Sequence, residues 1–509
     1  MNRGEHEAKS AARSFGLALA CFCTVLIAAT AGLTGAAWAE QDPVPCGPFD
    51  GGPTGIVELA ADRTLHDPGV QALAAADNVS DNSSDNSSDN TSDIAPGSAT
   101  ATGAMARDPG SIVPLPDSDP AGSTSSPPNT AAPGATADSE ALLALPKNAA
   151  GGIPTDFELG PDAKIAQSFF SPVICATVAR VTGPPGSTLD QLVTVVPATG
   201  IVVPNDVYAN AASELKPAPA VASAADPYAP LQYGLALSGV RAARELGAGQ
   251  GVRVALLDSA PEFAHRDLAP SRIEAIATEL KGKPSVHGTL MAGVIGAAEN
   301  NGFGIAGLAP KAQIVSIPVC TPKGGAGGQC TIYQMLQGFD RAYDAKAVLV
   351  NLSLSGPPNP LLERGVKRLE ELGLVVVAAA GNDGREEKRY PAAYPSVIGV
   401  GAIDREGKLF ATSNRGAWVE LYAPGVEVLS TVPGSAFAFG SGTSLAAAHV
   451  TGSLAVLTSI TGDAKRARSE LFRSVNARAG NSLPILPAAC EVLGRLGRPC
   501  GAAKATPAR

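Results

Sequence analysis

The sequence predicts an α/β fold, a doubly wound, mostly parallel sheet with helices on both faces. Three observations carry this. Four near-continuous apolar runs, Gly251 to Asp258, Ala347 to Ser353, Leu374 to Asn382 and Ser396 to Ala402, read as strands buried on both sides. Helix-spaced leucines and charges from Leu361 to Leu372 separate the second run from the third. Asp258, Ser353 and Asn382 end three of the runs, and reacting groups of parallel sheets gather at the carboxyl ends of strands.

Composition fits a large core with many turns and some unstructured chain: 45% hydrophobic and 17% charged residues, with 56 Gly and 42 Pro among 509. The net charge of −9 repels phosphate backbones, so nucleic acid is not expected as a partner.

Residues 1–39 read as a signal peptide. Arg3, Lys9 and Arg13 precede an uncharged stretch from Ser14 to Ala39, and Ala37-Trp38-Ala39 before Glu40 is an A-x-A cleavage pattern. The product would then be secreted or periplasmic. The alternative is an uncleaved anchor through residues 14–39, long enough to cross a bilayer, and only then is a membrane a partner.

Residues 40–150 read as low-complexity disordered chain and linker. Asp77-Asn78-Val79-Ser80 opens a tetrapeptide repeat that runs to Ser92, and Pro-, Ser- and Ala-rich chain follows. Residues 151–215 form a small unit of their own: Val173 to Val181 as a strand, Thr188 capping a short helix, and Gly200 to Asn205 as a strand ending in a turn. A Pro- and Ala-rich linker, Lys216 to Asp226, leads to the main domain at 226–475, and 476–509 is a C-terminal tail.

Without Cys21 and Cys23 of the signal, six of the eight cysteines remain, an even set that points to disulfides. Cys320 with Cys330 and Cys490 with Cys500 are the pairs that close short loops, the second linking the tail. Cys175 is open between a bridge and a buried free thiol.

Nucleophilic acyl transfer needs a hydroxyl, a base and an acid that orients the base. Histidine is the scarce member, at His6, His66, His265, His287 and His449. His287 opens a helix-like run, His287-Gly288-Thr289, in which small residues allow close packing on the sheet; His265 and His449 read as structural.

Asp258-Ser259, the His287-Gly288-Thr289 block, Asn382 and Gly442-Thr443-Ser444 resemble, in that order, the four motif blocks of the subtilisin-like serine proteases (peptidase S8). The chain order of the reacting residues in that family is also Asp, His, Ser, and the likeness spans Tyr228 to Thr461. The resemblance implies a subtilisin-like three-layer catalytic domain and a serine endopeptidase acting on proteins or peptides. It assigns Ser444 as nucleophile, His287 as base, Asp258 as the orienting acid and Asn382 as an oxyanion donor. Ser353, Leu354, Ser355 and Gly356, with Ala379, Ala380 and Gly381, would wall the S1 cleft, where the substrate pairs as an added strand. Arg389 falls at the pocket base and Asp383 near its rim.

The resemblance further implies calcium, held by Gln232, Asp267 and Asn301; an ordinary Asn-Gly turn is the alternative for that loop. The unit at 151–215 resembles the inhibitory propeptides of these enzymes. The protein would then be a zymogen with its own propeptide as intramolecular inhibitor, cut within Lys216 to Asp226; a permanent accessory domain is the alternative. Ala260, Leu445 and Ala448 depart from the usual motif residues, but none removes a reacting atom. A catalytically inactive binding protein of the same fold would lack one of the four motif residues, and all four are present. An adhesin built on the repeat is the third class, for which the tract is short.

Overall fold

A computed structural model describes Cys46 and residues 55–56, 136–146, 156–197, 199–212, 215–219, 226–268, 273–280, 284–323, 325–478 and 483–500. The signal segment and the tetrapeptide repeat lie outside the described residues.

The chain first builds an antiparallel set: β1 (Thr136–Pro146), β2 (Lys164–Ser171), β3 (Ala176–Thr182) and β4 (Ile201–Ala211). It continues into β5 (Arg253–Asp258), β6 (Ile273–Ala275) and β7 (Gln313–Pro318), then a hairpin of β8 (Cys320–Pro322) and β9 (Gly327–Thr331). β10 (Leu349–Leu352), β11 (Val375–Ala379), β12 (Val397–Ile403) and β13 (Leu421–Pro424) follow. Seven of these form one parallel sheet in the order β6-β7-β5-β10-β11-β12-β13. The crossovers include α1 (Val286–Gly296), α2 (Ile332–Asp344) and α3 (Pro360–Glu371), and α4 (Thr443–Thr461) and α5 (Ala464–Arg478) complete the helices that matter here.

Two cores flank the sheet. Side chains of α1 and α4 pack on one face, and those of α2 and α3 on the other. α4 is apolar and long enough to span a bilayer, yet it is buried against the sheet, as expected of a core helix. The parallel α/β reading from the apolar runs therefore holds, with β6, β7 and β13 added.

The N-terminal strands depart further from expectation. β1 lies within the stretch read as linker. Its run Ala141-Leu142-Leu143-Ala144-Leu145 is fully buried because alternate residues serve two cores: Leu142 and Ala144 join the α2 and α3 side, while Ala141, Leu143 and Leu145 join a smaller cluster of the unit itself. The strand expected at Val173 to Val181 starts later, because Cys175 takes a positive φ of 58° and turns the chain there. The short helix forms where expected, Leu189–Leu192, with Thr188 and Gln191 in a capping box. β4 does not end at Asn205; it runs on to Ala211.

That extension joins the two halves. β4 pairs antiparallel with β9, so one sheet runs β8-β9-β4-β1-β3-β2 across both. Around this seam, Asn359 caps α3 by accepting from Leu361 N and Leu362 N, and its amide donates to Pro204 O (3.2 Å) and Asp206 (3.0 Å). Ser171 Oγ (2.8 Å) and Val173 N (3.1 Å) donate to Asp340 on α2. Among the described residues three disulfides are present: Cys320–Cys330 and Cys490–Cys500 as expected, and Cys46–Cys175, which settles Cys175 as bridged.

Burial under the N-terminal unit pushes Asp340 up to about 7. In the unfolded chain a carboxyl ionises near 4, so the folded state holds this proton more tightly. Its stabilising contribution is full below about pH 4 and fades as pH rises through 7. Urea unfolding of a Ser444→Ala chain between pH 4 and 8 should show this loss, and Asp340→Asn should flatten it.

Candidate active site

Three strand ends of the parallel sheet and the starts of two helices meet in one cleft. β5 ends on Asp258, which is 1% exposed. His287 is the second residue of α1 and is fully buried. Its Nδ1 lies 2.9 Å from both Asp258 oxygens. The helix can approach this closely because Gly288 has no side chain: a Cβ there would sit 1.9 Å from Ser259 O. Ser259 N (2.7 Å) and Ser259 Oγ (3.0 Å) also donate to Asp258 Oδ1, which fixes the orientation of the carboxylate toward the ring.

Ser444 stands in the first turn of α4, beneath the positive end of the helix dipole. Thr443 positions its neighbour: Thr443 N (2.9 Å) and Thr443 Oγ1 (3.1 Å) donate to Asn382 Oδ1, which aims Asn382 Nδ2 into the cleft. Gly381 N in turn donates to Thr443 Oγ1 at 3.0 Å. Ala260, Leu445 and Ala448 are all buried and leave these contacts intact.

The cleft is filled by the chain's own β4. Ala211 O lies 3.3 Å from Asn382 Nδ2 and 3.2 Å from Ser444 Oγ. The segment is held as a strand on both sides: Ala211, Asn210, Ala209, Tyr208 and Val207 pair with Gly327 to Thr331, and Ala209 exchanges backbone hydrogen bonds with Ser355 (3.0 and 2.9 Å). Tyr208 is fully buried, its ring against Gly356 and its hydroxyl donating to Pro357 O. Ser444 Oγ also lies 3.3 Å from Ser353 O, and His287 Nε2 has no hydrogen-bond partner. The His287–Asp258 link is made and the His287–Ser444 link is open.

Of the residues expected to wall the cleft, Ser353, Ser355, Gly356 and Gly381 make contacts described above; Leu354, Ala379 and Ala380 are buried beneath them in the cores. Arg389 is 7% exposed and paired with Asp383, its Nε 3.1 Å from Oδ2, while Asn414 Nδ2 lies 3.3 Å from the same oxygen. The segment in the cleft precedes Lys216 to Asp226, the stretch expected to be cut, of which Lys216–Pro217 pairs with Ala438 and Phe439. The length of β4 was the missed signal, since Val207-Tyr208-Ala209 continues its β-branched and aromatic character.

Among the described residues the other histidines, His265 and His449, are structural. Burial pushes His449 down to about 4, and its Nδ1 meets Leu445 O. His265 contacts Ala436 O and stands edge-on to Phe437.

The residues expected to bind calcium converge on the loop after α1. Asn301 Nδ2 donates to Asp267 Oδ1 (2.9 Å), Ile305 N donates to Asp267 Oδ2 (2.7 Å), and the Gln232 amide makes two bonds to Ala306 (both 2.9 Å). Burial pushes Asp267 up to about 7. Among the described residues no group of three His, Cys, Asp or Glu could hold a metal. The carboxylate and the two amides bring oxygens, the ligand type that calcium takes, and these oxygens accept from Asn301 Nδ2, Ile305 N, Phe303 N and Ala306 N.

The subtilase family profile matches residues 249–475, the stretch that carries this cleft. Subtilisin BL of Lederbergia lenta is 40% identical over 215 residues, covering 41% of this chain and 77% of that protein. The major intracellular serine protease of Bacillus subtilis (strain 168) is 36% identical over 254 residues, covering 47% and 77%. The alkaline protease of Shouchella clausii is 39% identical over 215 residues, covering 41% and 54%. The likeness falls on the parallel sheet and on the strand ends and helix starts that meet at Ser444, so the chain belongs to the subtilase family and is a serine endopeptidase.

Proposed function

We propose that this endopeptidase is made as an exported zymogen and cuts itself between Ala211 and Ala212. The observation that carries the reading is the position of Ala211 O, within reach of both Asn382 Nδ2 and Ser444 Oγ. In this reading Ser444 Oγ attacks the Ala211 carbonyl carbon. His287 takes the serine proton and passes it to the Ala212 amine, while Asp258 holds the Nδ1–H tautomer and balances the charged ring. The Asn382 amide stabilises the oxyanion, a contribution on the order of 3–4 kcal/mol for the oxyanion-hole asparagine of subtilisin itself. For attack, His287 Nε2 and Ser444 Oγ must close the link that stands open.

Water, deprotonated by His287, then hydrolyses the Ser444 ester to free the Ala211 carboxylate, and β4 remains paired as a product strand and inhibits. Export is supported by the signal pattern of residues 1–39, with secretion, a periplasmic product or an anchor at residues 14–39 as its outcomes, and by three disulfides. Fluorophosphonate labelling tests the chemistry: Ser444→Ala should abolish it and leave the chain uncut, while the native chain should yield a fragment that begins at Ala212. A fragment beginning within 216–226 would overturn the cleavage reading.

We read the Arg389–Asp383 pair as the floor of a shallow S1 pocket, consistent with the single methyl of Ala211. Arg389→Gly should raise kcat/KM for peptides with Leu or Phe at that position relative to Ala. A peptide-library profile identical to the native one would refute this.

Calcium would be held by Asp267, Asn301 and Gln232 with carbonyls of the 299–305 loop. Bound there it would supply the positive charge that a buried carboxylate lacks. A chelator should lower Tm by several degrees and Asp267→Asn should remove that sensitivity; an unchanged Tm would eliminate the site.

A further inference from the structure

The strand in the cleft presents one more polar side chain to the catalytic groups. Asn210 precedes the residue whose carbonyl faces Ser444, and its Nδ2 lies 2.8 Å from Asp258 Oδ1. That oxygen already accepts from Ser259 N and Ser259 Oγ and faces His287 Nδ1. Asn210 is 1% exposed and its own Oδ1 has no partner. The cleft makes room for the carboxamide at Gly328, its register partner: a Cβ there would come within 2.6 Å of Asn210 Oδ1. An alanine would pair in the same backbone register without burying an orphaned oxygen, so the contact with Asp258 is what the asparagine gains there.

We propose that Asp258 has a second duty as the recognition group for a carboxamide one residue before the scissile position, and that Asn210 uses it to tighten the pro-segment and slow its cleavage. The proposal rests on β4 being the scissile strand. A hydrogen bond to a charged acceptor favours the bound ground state. During attack His287 becomes positively charged and draws on the same carboxylate, so a donor sharing Oδ1 weakens that support. Only interactions stronger in the transition state than in the ground state speed the step. Asn210 therefore improves binding and penalises turnover.

The test uses the mature enzyme and fluorogenic peptides Tyr-Ala-X-Ala with X as Asn, Ala or Asp. Asn should lower KM about tenfold relative to Ala and lower kcat as well, while Asp, a second carboxylate beside Asp258, should raise KM. Equal KM for Asn and Ala, or a higher kcat with Asn, overturns the proposal. In the full chain, Asn210→Ala should mature faster and release a pro-fragment that inhibits about tenfold more weakly. Should that variant fail to fold, the peptide series decides alone. N-terminal sequencing separates the two layers: a start other than Ala212 refutes the cleavage reading, whereas Ala212 with no dependence on X refutes only the role given to Asp258.

Discussion

The pairing of β4 with β9 is the interaction on which the rest of the molecule turns. β9 has β8 on one side, and its other side would, without β4, offer a row of backbone donors and acceptors to any extended chain. Here the chain supplies its own strand, and the Ser353 to Gly356 segment takes the other side through Ser355. This double pairing fixes residue register as well as direction. Register is what brings Ala211 O, and no neighbouring carbonyl, beside Asn382 and Ser444.

The cleft beneath depends on close approach of backbone. α1 reaches the end of β5 only because Gly288 is bare, and α4 is almost wholly buried through its run of small residues. Thr443 then transmits the position of α4 to Asn382 through two hydrogen bonds. Asp258, His287 and Ser444 are therefore held by a strand end and two helix starts, the most rigid parts of an α/β layer structure, while Asn382 lies in the bend that follows β11 and is fixed by Thr443.

The disulfides divide in the same way as the chain. Cys46–Cys175 lies before Ala211, and Cys320–Cys330 and Cys490–Cys500 lie after Ala212. Among the described residues no bridge crosses that bond. In our reading the two parts after cleavage are held by β4, by the Asp340 and Asn359 contacts, by hydrogen bonds such as Gln167 to Glu279 (3.0 Å) and Arg364 to Ile174 O (3.2 Å), and by the shared core of α2 and α3. The Cys320–Cys330 bridge clamps the hairpin that offers β9, so the strand that pairs with β4 is stiffened at its far end.

Much of the catalytic half was legible in the sequence. Strands buried on both faces are continuous apolar runs, and their ends marked Asp258, Ser353 and Asn382; scarce histidine and the small-residue run after it marked His287. These are local signals, written in composition and period. Pairing is not local. Nothing in Val207 to Ala211 states that its partner is Gly327 to Thr331, and Leu142 to Leu145 reads as an isolated apolar run until two cores claim its alternate residues. The partner of Cys175, the ion pair that buries Arg389 and the contact of Asn210 with Asp258 likewise join residues far apart in the chain. The sequence by itself determined the fold class and singled out Asp258, His287, Asn382 and Ser444 as candidates; which segment occupies the cleft, and in which register, was decided only when the tertiary structure brought two distant segments within hydrogen-bonding distance.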